Sequence, residues 1–199
     1  LHITNKYEKP DISLGINANF TGNNPDNFEG YIKLEDLAFY TAKDSFIIHN
    51  LRVETSADEH PYKRLSIASD IINGEIKGIY SFSSLVHDLC HTAERYLPSL
   101  IKNLVNENSA PKSENRFDFL MTINNTENIS KTLKLPVAIL RQSSINGYYN
   151  NSTNSLNTEI NIPSFRIGKT SLDSVKLHLD NANESINLQL TASQNHKGS

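Results

Sequence analysis

The chain has 199 residues, room for one good-sized domain or two small ones. Hydrophobic residues make up 37% and charged residues 21%, which excludes a disordered tail. The net charge is −3 at a sequence pI of about 6.2, and Lys and Arg are scattered without a basic stripe, which argues against a nucleic-acid partner.

From the N-terminus the dominant signal is alternation. Ile12, Leu14, Ile16, Ala18 and Phe20 occupy every second position, the signature of a strand with one buried face. The run 21–27 (TGNNPDN) reads as a loop, with Asn where left-handed backbone is tolerated. A second strand starts at Glu29-Gly30, and its apolar phase slips between Leu34 and Leu37, as a bulge would cause. After a turn near Lys43-Asp44, Ile47, His49, Leu51 and Val53 form a third face. Leu65, Ile67, Ser69 and Ile71 form a fourth, and Asn73-Gly74 predicts a tight hairpin into a fifth strand carrying Ile76, Gly78, Tyr80 and Phe82.

That strand runs into the one clear helical pattern, over about residues 84–97. Leu85, Val86, Leu89, Cys90, Ala93, Tyr96 and Leu97 share one face, Ser83 or Ser84 suits the N-cap, and Pro98 ends the helix. The lone Cys90 forms no internal disulfide and reads as a small buried residue. A short second turn is expected over 98–104. The polar stretch 107–115 is the best internal boundary, between a first β segment at 1–106 and a second at 116–199.

Alternation resumes with Phe117, Phe119, Met121 and Ile123, and a short helix is expected over 126–133. A strand opens near Ser144, and Leu156 to Ile162, Val175 to Leu179 and Ile186 to Ala192 supply three more. The stretches from Glu29 to Ser69 and from Glu159 to Ser193 can be laid on each other as a degenerate repeat of several strands. The alternative is that any two meanders with similar loops align this well. We expect one continuous unit cut from a longer chain, because strand patterns begin and end close to its termini.

No catalytic constellation stands out, and neither a cofactor nor a metal is expected. The sharpest enzymatic pattern is His87-Asp88-Leu89-Cys90-His91, which places two His residues four apart with an acid after the first, as in zinc-protease helices. Helical geometry sets His87, His91 and Glu94, one turn further on, opposite the apolar face. A solvated face supplies neither a shaped pocket for a third ligand nor a dry second shell unless another domain covers it. Gly168-Lys169-Thr170 resembles the end of a phosphate-binding loop, but Pro163 stands where that loop needs glycine and a strand pattern follows. The acidic pairs Glu35-Asp36 and Asp58-Glu59 read as solvated surface. What survives is the set of long, aliphatic strand faces. In a closed sheet they would be ordinary core; in an open or taco-shaped sheet they would line an apolar groove.

The run 69–82 (SDIINGEIKGIYSF), the helix ending RYLPSL at 95–100, the run 117–127 (FDFLMTINNTE), Leu135-Pro136-Val137, Gly147-Tyr148-Tyr149 and the run 162–170 (IPSFRIGKT) together resemble a segment of the TamB-type translocation and assembly proteins of the Bacteroides group. The likeness covers about 19–193, and its specificity lies in the order and spacing of motifs that are individually weak. These proteins belong to the AsmA-like, repeating β-groove superfamily. The resemblance implies an internal piece of an inner-membrane-anchored protein that spans the periplasm. It implies a curved sheet whose apolar inner surface carries phospholipid toward the outer membrane or supports outer-membrane protein assembly, with no catalytic residues. The helix is more prominent than a plain groove would carry.

The expectation is therefore a mainly β protein: a twisted, antiparallel, open or taco-like sheet with one amphipathic helix and a second short one. Its lipid-facing surface is expected to include Leu14, Ile16, Leu51, Val53, Leu65, Ile67, Ile76, Tyr80, Phe117, Phe119, Leu177, Leu179, Leu188 and Leu190, which share strand parity within each run. The expected partners are phospholipid acyl chains and outer-membrane β-barrel assembly proteins. The alternative is a non-catalytic extracytoplasmic binding or scaffolding module with a filled β core. A metal-dependent hydrolase built on His87 and His91 ranks third.

Overall fold

Strand-forming alternation dominates the chain, and almost every run of it becomes a strand of one sheet. The computed structural model describes residues 11–57, 61–85, 88, 113–181 and 187–193, with the backbone alone at 187, 188, 190 and 192. The strands are β1 (Asp11–Thr21), β2 (Glu29–Tyr40), β3 (Ser45–Ala57), β4 (Lys63–Ser69), β5 (Ile72–Ile79) and β6 (Arg116–Ile123), then β7 (Val137–Ile139), β8 (Ser143–Asn150), β9 (Ser155–Ile167), β10 (Thr170–Asp180) and β11 (Asn187–Ser193). One short helix, α1 (Glu127–Thr132), lies between β6 and β7. The sheet has 11 strands in the order β1-β2-β3-β4-β5-β6-β8-β9-β10-β11, with β7 beside β9. All pairings are antiparallel, and β1 and β11 form the two ends, so the sheet is open. β5 pairs directly with β6, which carries the sheet across the polar boundary expected at 107–115.

Several local expectations meet their physical cause. The slip in β2 is a bulge: Asp36 adopts φ 47°, and the pairing with β1 shifts register between Ser13 and Gly15. Gly168, at φ 57°, and Lys169 form the two-residue turn between β9 and β10, so this segment is a hairpin and no helix follows it. β9 is longer than the alternation suggests. Its first part pairs with β8 and its last three residues with β7, on the same side. Pro163, which has no N–H to donate, stands between those two pairings. β7 is too short to leave a periodic trace in the sequence.

Two expectations are corrected. The β4–β5 hairpin turns at Asp70-Ile71, not at Asn73-Gly74, which are paired within β5 opposite Ala68 and Ile67. Ile71 is therefore a turn residue. Asn73 serves the turn through its side chain: its amide accepts from the Ser69 N–H at 3.2 Å and donates to the Ser69 carbonyl at 3.0 Å. The Ser69 hydroxyl accepts from the N–H groups of Ile71 (3.1 Å) and Ile72 (2.9 Å). Gly74 is required for close approach, because a Cβ there would lie 2.6 Å from Met121 Cγ.

The second correction concerns the end of the fifth strand and the start of the first helix: β5 stops at Ile79, so Tyr80 lies beyond it and Phe82 is already helical. The helix begins at residue 82, with the Leu85 N–H donating to the Ser81 carbonyl at 2.9 Å, so Ser81 holds the N-cap position and Ser83 and Ser84 lie in the first turn. Asp26, from the β1–β2 loop, meets this turn. Its carboxylate accepts from the Ser81 hydroxyl at 3.1 Å and from the Ser83 hydroxyl and N–H. An acid at a helix start also complements the dipole. Beyond Leu85 only Asp88 is described, so the rest of the helix expected at 84–97, the turn at 98–104, Cys90, His87, His91 and the Asp58-Glu59 pair lie outside the described residues.

The densest packing is where this helical turn meets the sheet. Leu65, Tyr80, Phe117 and Tyr149 are buried together, with Val53, Ile76, Phe82, Leu85, Phe119 and Leu156 packed around them. The rings meet edge-on or tilted: Tyr80–Phe82 at 5.2 Å, Tyr80–Phe117 at 6.1 Å and Phe117–Tyr149 at 5.5 Å.

Candidate functional site: the apolar face of the sheet

Register decides what strand parity alone leaves open, namely which apolar residues stand side by side. One ladder crosses ten strands as Ala18, Ile32, Val53, Ile67, Gly74, Met121, Ile145, Ile160, Leu177 and the backbone of Leu190, each paired with the next. The ladder beside it runs Phe20, Gly30, Thr55, Leu65, Ile76, Phe119, Gly147, Thr158, Leu179 and the backbone of Leu188. A third, shorter one joins Ile16, Leu34 and Leu51. At about 4.8 Å between strands, nine strand spacings carry the first ladder roughly 43 Å across the sheet.

Two glycines keep the surface even. Phe119 lies over Gly147, where a Cβ would come 2.6 Å from the ring, and Met121 covers Gly74. Most of the ladder is half-buried, including Val53, Ile67, Met121, Ile145, Ile160 and Leu177. At the β1 end the face is open: Ile16 is 68% exposed, Phe20 49% and Leu14 43%.

The opposite face is polar along the same strands. Its ladders run from Asn17, Lys33 and Arg52 to Asn161, Lys176 and Thr191, and from Asn19, Tyr31 and Glu54 to Glu159, His178 and Gln189. Ion pairs line it: Lys33–Glu35 at 2.5 Å, Arg52–Glu54 at 2.9 Å and Lys77–Glu75 at 2.5 Å. Exposed pairs of this kind add little stability, so their main effect is to keep this face wet. A hollow of about 690 Å³ lies over β8–β11, lined chiefly by polar-face residues such as Asn146, Glu159, Lys176 and His178.

Of the residues expected on the lipid-facing surface, register brings Ile16, Leu51, Val53, Ile67, Ile76, Phe119, Leu177 and Leu179 together on the apolar face. Leu14 shares β1 with Ile16 opposite the bulge. Leu65, Tyr80 and Phe117 are 9%, 2% and 5% exposed and form the core under the helical turn, so they anchor the surface rather than present it. Leu188 and Leu190 are paired with Leu179 and Leu177, and their side chains lie outside the described residues. Sequence reasoning passed over Ala18, Ile32, Leu34, Ile145 and Ile160 as surface members, although their alternation was visible.

It missed a buried polar cluster altogether. Asn115, 0% exposed, accepts from the Ser81 N–H at 2.8 Å and donates to Ser84 Oγ at 3.1 Å and to the Asp88 carboxylate. Asn151 donates to the same carboxylate at 3.3 Å and accepts from the Asn115 N–H at 3.0 Å, while the Tyr149 hydroxyl donates to the Asp88 carbonyl at 3.1 Å. Asp88 is 1% exposed. In the zinc-protease-like pattern it takes the place of the acid after the first His, yet its carboxylate is held here as an acceptor for two Asn side chains. No group of three or more metal-ligating side chains occurs among the described residues. Tyr80 lies near this cluster in the fold; burial pushes its phenol up to about 12, and its hydroxyl has no hydrogen-bond partner among the described residues.

Compared with family models, curated proteins and solved structures, the chain matches none. The molecule is defined by its open antiparallel sheet, with one apolar and one polar face.

Proposed function

We propose that the apolar face carries lipid acyl chains and that this chain is the periplasmic segment of an inner-membrane-anchored envelope protein that moves phospholipid toward the outer membrane. The single observation that carries the reading is the one-sided ladder from Ala18 to Leu177, unbroken by a polar side chain. Among the described elements, the helical turn at residue 82 and the short α1, which contacts β3 and β7, are the helical pieces against the sheet, and the middle of the ladder has no second layer of strands over it. A sheet with one apolar face needs a cover. An acyl chain reaching half of a roughly 30 Å hydrocarbon core spans about 15 Å, or roughly three strand spacings, so the ladder has ample room for it. The polar face and its ion pairs suit water on the other side. The sequence resemblance to TamB-type proteins supports the same reading and adds outer-membrane β-barrel assembly proteins as candidate partners. In this reading the protein does no chemistry on its cargo.

The test is native mass spectrometry of the gently purified chain, followed by lipid extraction. Phospholipid retained in reproducible amounts is the expected result. Lipid-free protein that takes up no phospholipid from vesicles would overturn the proposal. The buried Leu65–Tyr80–Phe117–Tyr149 cluster favours a second reading, a binding or scaffolding module with a filled core. That module would leave the same experiment without lipid and would resist proteolysis equally with and without vesicles.

A further inference from the structure

β1 is the sheet edge with the least protection. It is 11 residues long, all of them exposed, and nothing among the described residues pairs with its outer side. Soluble proteins guard such edges with Lys, Pro, bulges or short strands. β1 has no Lys, Arg or Pro, and its one charge, Asp11, is at the end. The bulge at Asp36 belongs to the inner neighbour β2, so the outer edge of β1 is continuous. The sequence of β1 is also self-complementary. Its apolar residues Ile12, Leu14, Ile16, Ala18 and Phe20 are symmetric about Ile16. An antiparallel copy centred there sets Ile16 beside Ile16, Leu14 beside Ala18 and Ile12 beside Phe20, all on one face.

We propose that β1 pairs with β1 of a second copy across a two-fold axis at Ile16, giving a dimer with one continuous sheet. Isologous pairing closes the assembly at two chains, whereas β1 on β11 would propagate without end. Main-chain hydrogen bonds supply the affinity and the apolar ladder fixes the register. The join makes the ladder run through both copies. This inference is independent of the lipid reading.

The experiment is sedimentation velocity of the full chain over a concentration series, with Ile16→Lys, Ile16→Glu and their mixture. Ile16 is 68% exposed in a single copy, so either variant folds with little penalty. In the dimer, two like charges meet at the axis. Each variant alone should self-associate at least about tenfold more weakly than the parent chain. Mixing the two should restore the dimer, as a heterodimer, because opposite charges then meet. Ile16→Cys in a Cys90→Ser background should form an intermolecular disulfide under mild oxidation. A parent chain that stays monomeric at all concentrations overturns the proposal. So does an oligomer that neither charge variant weakens, or one that the mixture fails to restore.

Discussion

Ile67→Asp places one charge in the middle of the apolar ladder, between Val53 and Gly74. Fully burying an Ile side chain is worth about 1.5–3 kcal/mol. Ile67 is only half-buried, so about 1–2 kcal/mol of that is lost. The new carboxylate keeps contact with water at such a position and stays ionised, which adds about 1 kcal/mol more. A total of about 2–3 kcal/mol lies within the roughly 5–15 kcal/mol of a typical domain, so the variant should fold. Its effect on a bound acyl chain should be larger, because the chain would have to strip water from an ionised group. An extra 1.4 kcal/mol or so is already a tenfold loss of affinity. The control, Ile67→Ala, loses apolar area without adding charge and should retain most of the lipid. Urea unfolding checks the first figure, and lipid extracted per mole of folded protein checks the second. Folded Ile67→Asp protein that retains as much lipid as the parent would refute the reasoning.

Asn115→Ala should destabilise the fold by about 2–4 kcal/mol, since it strips the buried Asp88 carboxylate of a donor and leaves the Ser81 N–H without its acceptor. Urea midpoints would show it, and a loss below about 0.5 kcal/mol would mean that the cluster does not hold the helical turn. Tyr80→Phe should stabilise the protein by up to about 1 kcal/mol, because the hydroxyl it removes is buried and has no partner among the described residues; a drop in melting temperature would contradict this. Asp26 predicts an acid dependence. Its desolvation is outweighed by the hydrogen bonds from Ser83 and Ser81, which hold its carboxyl below the ordinary 3.8. A depressed carboxyl binds its proton more readily in the unfolded chain. The stability it gives is therefore complete above pH 3.8 and is lost as the pH falls through the lower folded value. Asp26→Asn should flatten that acid limb of the stability profile while leaving its neutral shape unchanged, and an unaltered limb would rule the mechanism out.

Period-two alternation was enough to find most strands, because a sheet with one dry face writes its parity directly into the sequence. It placed Ile12 to Phe20, Leu51 and Val53, and Phe117 to Ile123 correctly, and the phase slip after Leu34 marked the bulge at Asp36. The short helix expected over 126–133 is present as α1. Turns proved less legible. Asn73 did belong to the hairpin, but through its side chain, and alternation does not distinguish a turn backbone from an amide that caps it.

Tertiary structure alone decided the partners. That Val53 stands beside Ile67, and Ile145 beside Ile160, depends on register, which is set jointly by turn length and by the packing of neighbouring strands. It also decided which apolar residues are core: Leu65, Tyr80 and Phe117 have the same strand-like signal as Ile67 and Leu177, and differ only because a helical turn closes over them. The buried polar cluster was invisible for a related reason. Asp88 meets Asn115 and Asn151 across 27 and 63 positions of sequence, and each of the three residues alone looks like surface. Alternation records which side of a strand is dry, but what lies against that side is fixed by contacts distant in the chain.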